Sequence, residues 1–357
     1  MQDDTAASAT ITVQADALRH FVADLFVAQG VPEHDALTVA DCLVEANLRG
    51  VDTHGVFRAP AYLERLRRGH VNPKPAFKVD AVATCAAAMD ADNALGAVAG
   101  THAMSAAIDL ARDHGIGAIS IRHSNHYGMA AYYVLQAIQA GLIALTFTNA
   151  SPALPPWGGR RPFFGTSPLA VGVPGGERGP FVLDMAMTVL ARGNVYVAAK
   201  HGERIPEGLA LDAEGRPTTD PQALIDGGTM LPFGGVKGAA LSMLMDILGG
   251  VLSGAAFAGR VANPHMDLDR PQDVGHLFLC IQPNLFLPGA DFAGRMDELI
   301  DRTKAEPKAQ GFDEILIPGE RESRTRAQRL KTGIPLRQAT VEMLRDEGKA
   351  IGLAFPG

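Results

Sequence analysis

The chain has 357 residues, 47% hydrophobic and 20% charged, which is ample for a packed core and argues against disorder. Its net charge is −7 with Lys and Arg scattered, which gives no support to nucleic-acid binding, and no apolar run approaches the roughly 20 residues a membrane helix needs. Three cysteines far apart in apolar settings, Cys42, Cys85 and Cys280, indicate neither a disulfide framework nor a metal site, and the opening MQDDTAASAT carries no signal pattern. The expectation is a soluble protein of the reducing cytoplasm.

Residues 15–30 predict an amphipathic helix, with Leu18, Phe21, Val22 and Leu25 on one face and Gly30 after it. Pro32 suits the first turn of a second helix running to about Leu48. If a third helix starts near Thr53, then His54, Arg58 and Tyr62 stand a turn apart along one face, with Pro60 tolerable early in it. Two short strands are expected between Ala76 and Asp92, the second around Val82–Met89. A helix over Thr101–His114, stopped by Gly115, leads to a strand at Ile116–Arg122.

His123 to Gly176 is the chemically densest stretch. It reads as a polar loop, a helix through Ala131, Val134, Leu135 and Ile138, a covered strand at Leu142–Thr148, and a Gly- and Pro-rich segment. Phe181–Leu183 is read as a strand ending at Asp184, and residues 200–230 as surface connections rich in turn signals. Gly234-Gly235-Val236-Lys237-Gly238 opens a long apolar helix. Residues 259–275 are read as an irregular loop, His276–Gln282 as a strand, and the tail from Ser323 as basic helical segments. Strands alternating with helices predict an α/β fold.

Several of these residues could carry chemistry. Arg58 suits a carboxylate through its planar fork, His54 could exchange a proton, and Thr53 could add a hydroxyl; equally, His54 and Tyr62 could be packing residues and Arg58 a solvated charge. His126, between Asn125 and Tyr127, is a second candidate proton carrier. The glycines around Lys237 offer backbone N–H groups at a helix start to an anion, though Gly–Gly before a helix is common. No GxGxxG follows a first strand, so an ordinary Rossmann site is not supported. Asp184 is either a helix cap or a partner that orients a histidine.

The segments RGVDTHGVFRAPAYLERL, SNHYGMAAYY, TNASPALPPWGG, FGTSPLAVGVP, LDMAMT, GRPTTDP, PFGGVKGAALSMLMDIL and IPGERE, in this order from about residue 10 to 340, resemble the type 2 malate/L-lactate dehydrogenase family. That family is also called malate/L-sulfolactate dehydrogenase-like, and it includes ureidoglycolate dehydrogenase, diketogulonate reductase and piperideine-2-carboxylate reductase. The resemblance implies an NAD- or NADP-dependent oxidoreductase without a metal, acting on a small 2-hydroxy acid/2-oxo acid pair or, alternatively, on a cyclic or N-alkyl imino acid; a catalytically silent binding protein is the reading from another class. It implies a homodimer with a non-Rossmann cofactor domain over 76–304, built on a mixed, largely antiparallel sheet, and a helical substrate and dimer domain from 1–75 with 305–357. Residue by residue, it places the catalytic histidine on His54 or, as in other members, on His126, with Asp184 beside it. Substrate contacts fall on Thr53, Arg58 and Tyr62, and cofactor contacts on Ala150, Thr166, Asp184, Met185, Ala186 and Lys237. Two departures stand out: the family's serine before the catalytic histidine is Thr53, and its G-T-N-P reads Gly165-Thr166-Ser167-Pro168.

Overall fold

The computed structural model describes residues 10–190, 192–287 and 289–357. In chain order the elements are β1 (Thr10–Val13), α1 (Ala15–Val27), α2 (Glu33–Leu48), α3 (Ala59–Arg67), β2 (Lys78–Ala83), β3 (Ala86–Asp90), α4 (Gly96–His114), β4 (Ile116–Ser124), α5 (Ala131–Gln139), β5 (Ile143–Thr148), β6 (Leu169–Val173) and β7 (Phe181–Met185). They continue with α6 (Arg192–His201), β8 (Ala210–Leu211), α7 (Pro221–Ile225), β9 (Thr229–Met230), α8 (Val236–Asp246), β10 (Val274–Ile281), α9 (Gly289–Ala305), α10 (Glu320–Thr332), β11 (Ile334–Arg337) and α11 (Gln338–Ala350).

A seven-stranded sheet in the order β2-β3-β4-β10-β5-β6-β7 organises the molecule. Only β3 and β4 run parallel, joined through α4; every other pairing is antiparallel, so the sheet is mixed and largely antiparallel, as expected. The sequence VGHLFLCI explains why β10 takes the middle. It is apolar on both faces except for one histidine, which a strand covered on both sides requires. At the edge, β2 is exposed along its length and carries Lys78 and Asp80, charges that discourage pairing with another chain.

The hydrophobic interior falls into three clusters. One gathers α1, α2 and α3 with Ile334, Leu336, Val341 and Leu344, so the chain's end closes a helical unit begun near its start. β1 pairs antiparallel with β11 to complete that unit, a strand with no counterpart among the expected elements. A second cluster fills the space between the sheet and α4 and α5; a third packs Phe147 and Leu277 against Met187, Val195, Ala210, Leu224, Met230 and Met245. Residues 200–230 are therefore not mere surface connections: β8, α7 and β9 supply part of this last core.

Two further expectations need correction. α4 starts at Gly96, a turn before the expected Thr101, and Gly96 packs so tightly on the backbone of Asn125 and His126 that no larger residue fits. The continuous helix from Thr53 does not form. Asp52–His54 and Val56–Arg58 are separate 3₁₀ turns, split by extended backbone at Gly55, and α3 begins only at Ala59. The cause is the side chain of Asn47 on α2, which binds both Asp52 and the Val56 N–H and leaves no room for a Cβ at residue 55.

Where β10 begins, Gly275 lies against a π-helical turn, Ile247–Val251, that follows α8. A Cβ on Gly275 would strike the Gly249 carbonyl oxygen and stand 2.8 Å from the Ala255 Cβ. Gly275→Ala should therefore cost about 1–3 kcal/mol, seen as a loss of several degrees in Tm by circular dichroism. Gly294→Ala on α9, where a Cβ meets nothing within 4 Å, should leave Tm unchanged or raise it.

Candidate active site

β4 and β5 both end, and β10 and β6 both begin, along one border of the sheet; the register pairs Val274 with Ser124, His276 with Thr148, and Phe147 with Leu169. The loops leaving this border, 125–130, 149–168 and 262–273, meet the 3₁₀ turns before α3 around a cleft of about 240 Å³. Thr53, His54, Arg58, His126, His265 and Gln272 form one wall, and Ala150, Ala153, Thr166, Pro168, Ala186 and Leu190 form the other.

On the polar wall, Arg58 is tied on two sides. Its Nε donates to the Thr53 carbonyl at 2.8 Å and Nη1 donates to His265 Nε2 at 2.8 Å. A guanidinium has five N–H donors, so three remain for an anion. Thr53 Oγ1 lies 3.1 Å from His54 Nδ1. The His54 ring stacks on His126 with centroids 5.6 Å apart. His126 Nδ1 receives the Tyr62 hydroxyl at 2.6 Å and the Gly128 N–H at 3.3 Å. With two donors on Nδ1, the neutral ring carries its proton on Nε2.

Burial, and then the charge of Arg58, lower the His54 pKa to about 3. The same causes, in the same order, hold His126 well below its ordinary value, with His54, His265 and His276 adding to the push. Both rings are neutral at physiological pH. Burial likewise raises the Tyr62 phenol, although Arg58 opposes it, so this hydroxyl stays protonated.

Behind the wall lies a dry polar network. His276, fully buried in β10, bonds Thr148 Oγ1 at 2.8 Å and Ser124 Oγ at 2.9 Å, and its ring lies flat on Tyr127 at 4.6 Å. Asn149 accepts from the Gly275 N–H and donates to the Ala256 carbonyl; Gln272 accepts from the His126 N–H and donates to the Ala262 carbonyl. None of His265, Gln272, Asn149 or His276 was singled out from sequence. For His276 a signal existed, since a lone imidazole in an otherwise apolar strand must find partners.

Of the residues proposed from sequence, Thr53, His54, Arg58, His126, Ala150, Thr166 and Ala186 all line the cleft. Tyr62 does not; it is buried behind His126. Asp184 does not either: it accepts from the Ala131 N–H at 2.8 Å, which caps α5, and no bond from it to either cleft histidine exists among the described residues. Met185 closes β7 opposite Leu169, and Lys237 is exposed on the first turn of α8, outside the cleft lining. No group of three or more His, Cys, Asp or Glu residues suited to a metal is found among the described residues.

The opposite wall suits a flat aromatic ring. Its side chains are small, and Gly165 brings two loops so close that a Cβ there would stand 2.6 Å from the Ala150 carbonyl oxygen. A cleft with an anchored guanidinium beside buried neutral imidazoles can take a small anion and move a proton. The chain belongs to the malate/L-lactate dehydrogenase family, whose model matches residues 13–345, and it is an oxidoreductase. It is 38% identical to the malate dehydrogenase of Pyrococcus horikoshii over 350 residues, 96% of each chain. It is also 38% identical to the L-sulfolactate dehydrogenase of Methanocaldococcus jannaschii, over 94% of this chain and 96% of the relative. The solved structure of the sulfolactate dehydrogenase from that organism superposes with a TM-score of 0.91 at 36% identity, covering 97% and 98% of the two chains. A (2R)-3-sulfolactate dehydrogenase (NADP(+)) from Chromohalobacter salexigens is 37% identical over 89% of this chain and 92% of its own.

The neutral histidines give the fold a pH dependence with a definite sign. Burial lowers His276 to about 3, as it does His54, so the unfolded chain takes up protons below pH 6.5 that the folded chain refuses. Stability is fully present above about 6.5 and falls as pH drops toward 3. His276→Gln removes one such proton, so between pH 6 and 4 its unfolding free energy should fall less steeply than the wild type's, by roughly 1.4 kcal/mol per pH unit. Identical slopes in denaturant titrations would contradict this.

Proposed function

We propose that the chain is a dehydrogenase of small 2-hydroxy acids that works on its substrate through Arg58 and His126. The observation that carries this reading is the Tyr62–His126 hydrogen bond of 2.6 Å, which occupies Nδ1 and leaves Nε2 for the cleft beside the anchored guanidinium. Arg58 takes the substrate carboxylate with its remaining N–H donors. That carboxylate offsets the positive charge that helps keep His126 neutral, so His126 can hold a second proton once the substrate is bound. In reduction the doubly protonated His126 gives its Nε2 proton to the carbonyl oxygen and is left neutral with its proton on Nδ1; in oxidation that Nδ1–H tautomer takes the hydroxyl proton at Nε2. The Tyr62 hydroxyl follows either state, because it can donate to Nδ1 or accept from Nδ1–H. Tyr62 thus acts on His126 rather than on the substrate, and His54 with Thr53 flanks the reacting oxygen.

The nicotinamide, when bound, supplies or accepts the hydride. Ala150, Thr166 and Ala186 would hold its ring on the small-residue wall, Asp184 and Met185 would support that wall from the end of β7, and Lys237 would meet a phosphate further out. Either NAD or NADP serves this reading, and no metal enters it. The helical unit (1–75 with 305–357) contributes Thr53, His54 and Arg58 to the substrate wall, and residues 76–304 contribute His126, His265 and Gln272 to it together with the cofactor wall. A cytoplasmic setting agrees with three free cysteines and with the lack, among the described residues, of any helix long and apolar enough to cross a membrane.

The reading is tested with a panel of 2-oxo acids and cyclic imines assayed with NADH and NADPH. Turnover of malate-like or sulfolactate-like 2-oxo acids supports it; turnover of cyclic imines alone points to the imino-acid alternative. Within the active pair, His126→Ala should lower kcat by roughly 10²–10⁴-fold and erase one limb of the pH profile, whereas Arg58→Lys should act mainly on KM. Loss of that limb in His54→Ala instead would move the proton to His54.

We also propose that the protein works as a homodimer. Val236, Met243, Leu244, Ile247, Val251 and Leu252, on α8 and the turn after it, are all exposed and apolar, more than a monomer usually shows in one stretch. Light scattering should give twice the chain mass, and the double variant Leu244→Glu/Val251→Glu should give the monomer mass. A wild-type monomer at micromolar concentration would overturn this.

A further inference from the structure

The loop 262–273 was unremarkable in sequence, yet it reaches the backbone of one functional residue of the polar wall and the side chain of the other. Gln272 at its base accepts from the His126 N–H, and His265 near its middle accepts from Arg58 Nη1 at 2.8 Å. The loop is held firmly enough for that contact to have a fixed direction. Asn263 Oδ1 accepts from the His265 and Met266 N–H groups, and the Asn263 N–H binds Asp267 Oδ2. From α3, Arg65 is buried to 1% exposure and donates to the carbonyls of Asp267 at 2.9 Å and Arg270 at 2.6 Å.

We propose that His265 is a positioning residue for substrate binding: by accepting from Nη1 while the Thr53 carbonyl accepts from Nε, it fixes the plane of the Arg58 guanidinium and aims its free N–H donors at the substrate carboxylate. This rests on the dehydrogenase reading above. A guanidinium always donates and never accepts, so His265 Nε2 must be unprotonated, with the ring proton on Nδ1. Burial and the charges of Arg58 and Arg65 both favour that neutral ring. With only the Thr53 carbonyl to hold it, Arg58 could turn about its long side chain, and a substrate would have to order it on binding. The residue is only partly covered, with much of its surface open at the cleft, and belongs to no hydrophobic core, so its removal should spare the fold.

His265→Ala should raise KM for the 2-oxo acid about tenfold with kcat within about twofold, the size expected for one charge-assisted hydrogen bond. His265→Gln, whose amide oxygen can accept from Nη1 at similar reach, should return KM to within about threefold of wild type. Binding of NADH or NADPH, followed by nicotinamide fluorescence, should be the same in all three proteins. An unchanged KM in His265→Ala overturns the proposal. So does an equal fall in kcat in both variants, which would mark a structural role for the loop. Calorimetric titration of oxalate in the presence of the reduced cofactor gives a second readout independent of turnover. If the wild type reduces no 2-oxo acid yet binds oxalate, the dehydrogenase reading fails, while weaker oxalate binding in His265→Ala, restored in His265→Gln, still upholds the role of His265. Oxalate binding that is absent in the wild type, or equal in wild type and His265→Ala, rejects it.

Discussion

One imidazole in the driest part of the sheet holds the working border of this enzyme together. His276 sits on β10, between β4 and β5, and its two ring nitrogens bond Ser124 on one neighbour and Thr148 on the other. Both partners are the last residues of their strands, directly before the loops that carry His126 and Asn149. A buried neutral imidazole must satisfy both nitrogens or leave a polar atom stranded. That requirement fixes where each strand ends. The flat stack of Tyr127 on the same ring extends the constraint to the residue next to His126.

From this border the two walls of the cleft are built by different means. The polar wall depends on hydrogen bonds that cross from one element to another: Tyr62 of α3 to His126, His265 of the long loop to Arg58, Gln272 to the His126 backbone. The opposite wall depends on small residues and close backbone approach, as where Gly165 meets Ala150. Two charge states follow from this division. Around Arg58 every neighbouring imidazole is pushed toward neutrality, so the wall presents one fixed cation and a set of neutral rings. An anionic substrate brings the counter-charge that the free cleft lacks, which couples its binding to protonation.

Much of this was legible in the sequence, and for physical reasons. Helices with strong apolar faces, such as α1 and α5, and strands with apolar runs, such as β5 and β10, declare themselves by period. The cleft residues were found as unusual chemistry, Thr53, His54 and Arg58 on an expected helix and His126 in a polar loop, and the family motifs gathered them. The spacing argument that lined up His54, Arg58 and Tyr62 failed, because a single side chain on another helix, Asn47, breaks the backbone at Gly55. No local pattern records such a contact. It also changed the site: Tyr62 ends behind His126 instead of beside His54. The 262–273 loop stayed invisible for a related reason, since it is anchored by Arg65 on α3 and has no period of its own.

The anchoring of that loop has a consequence for how such enzymes diversify. Arg65 grips the carbonyls of Asp267 and Arg270, and a main-chain carbonyl is present whatever side chain the residue bears. The strap is thus clamped by groups that mutation does not remove. A position such as 265, which carries a side chain on the cleft, can be exchanged while the clamp keeps the same hold. A lineage can in this way redraw the outer face of its pocket one residue at a time, retuning how the carboxylate fork is aimed while the proton carrier stays undisturbed.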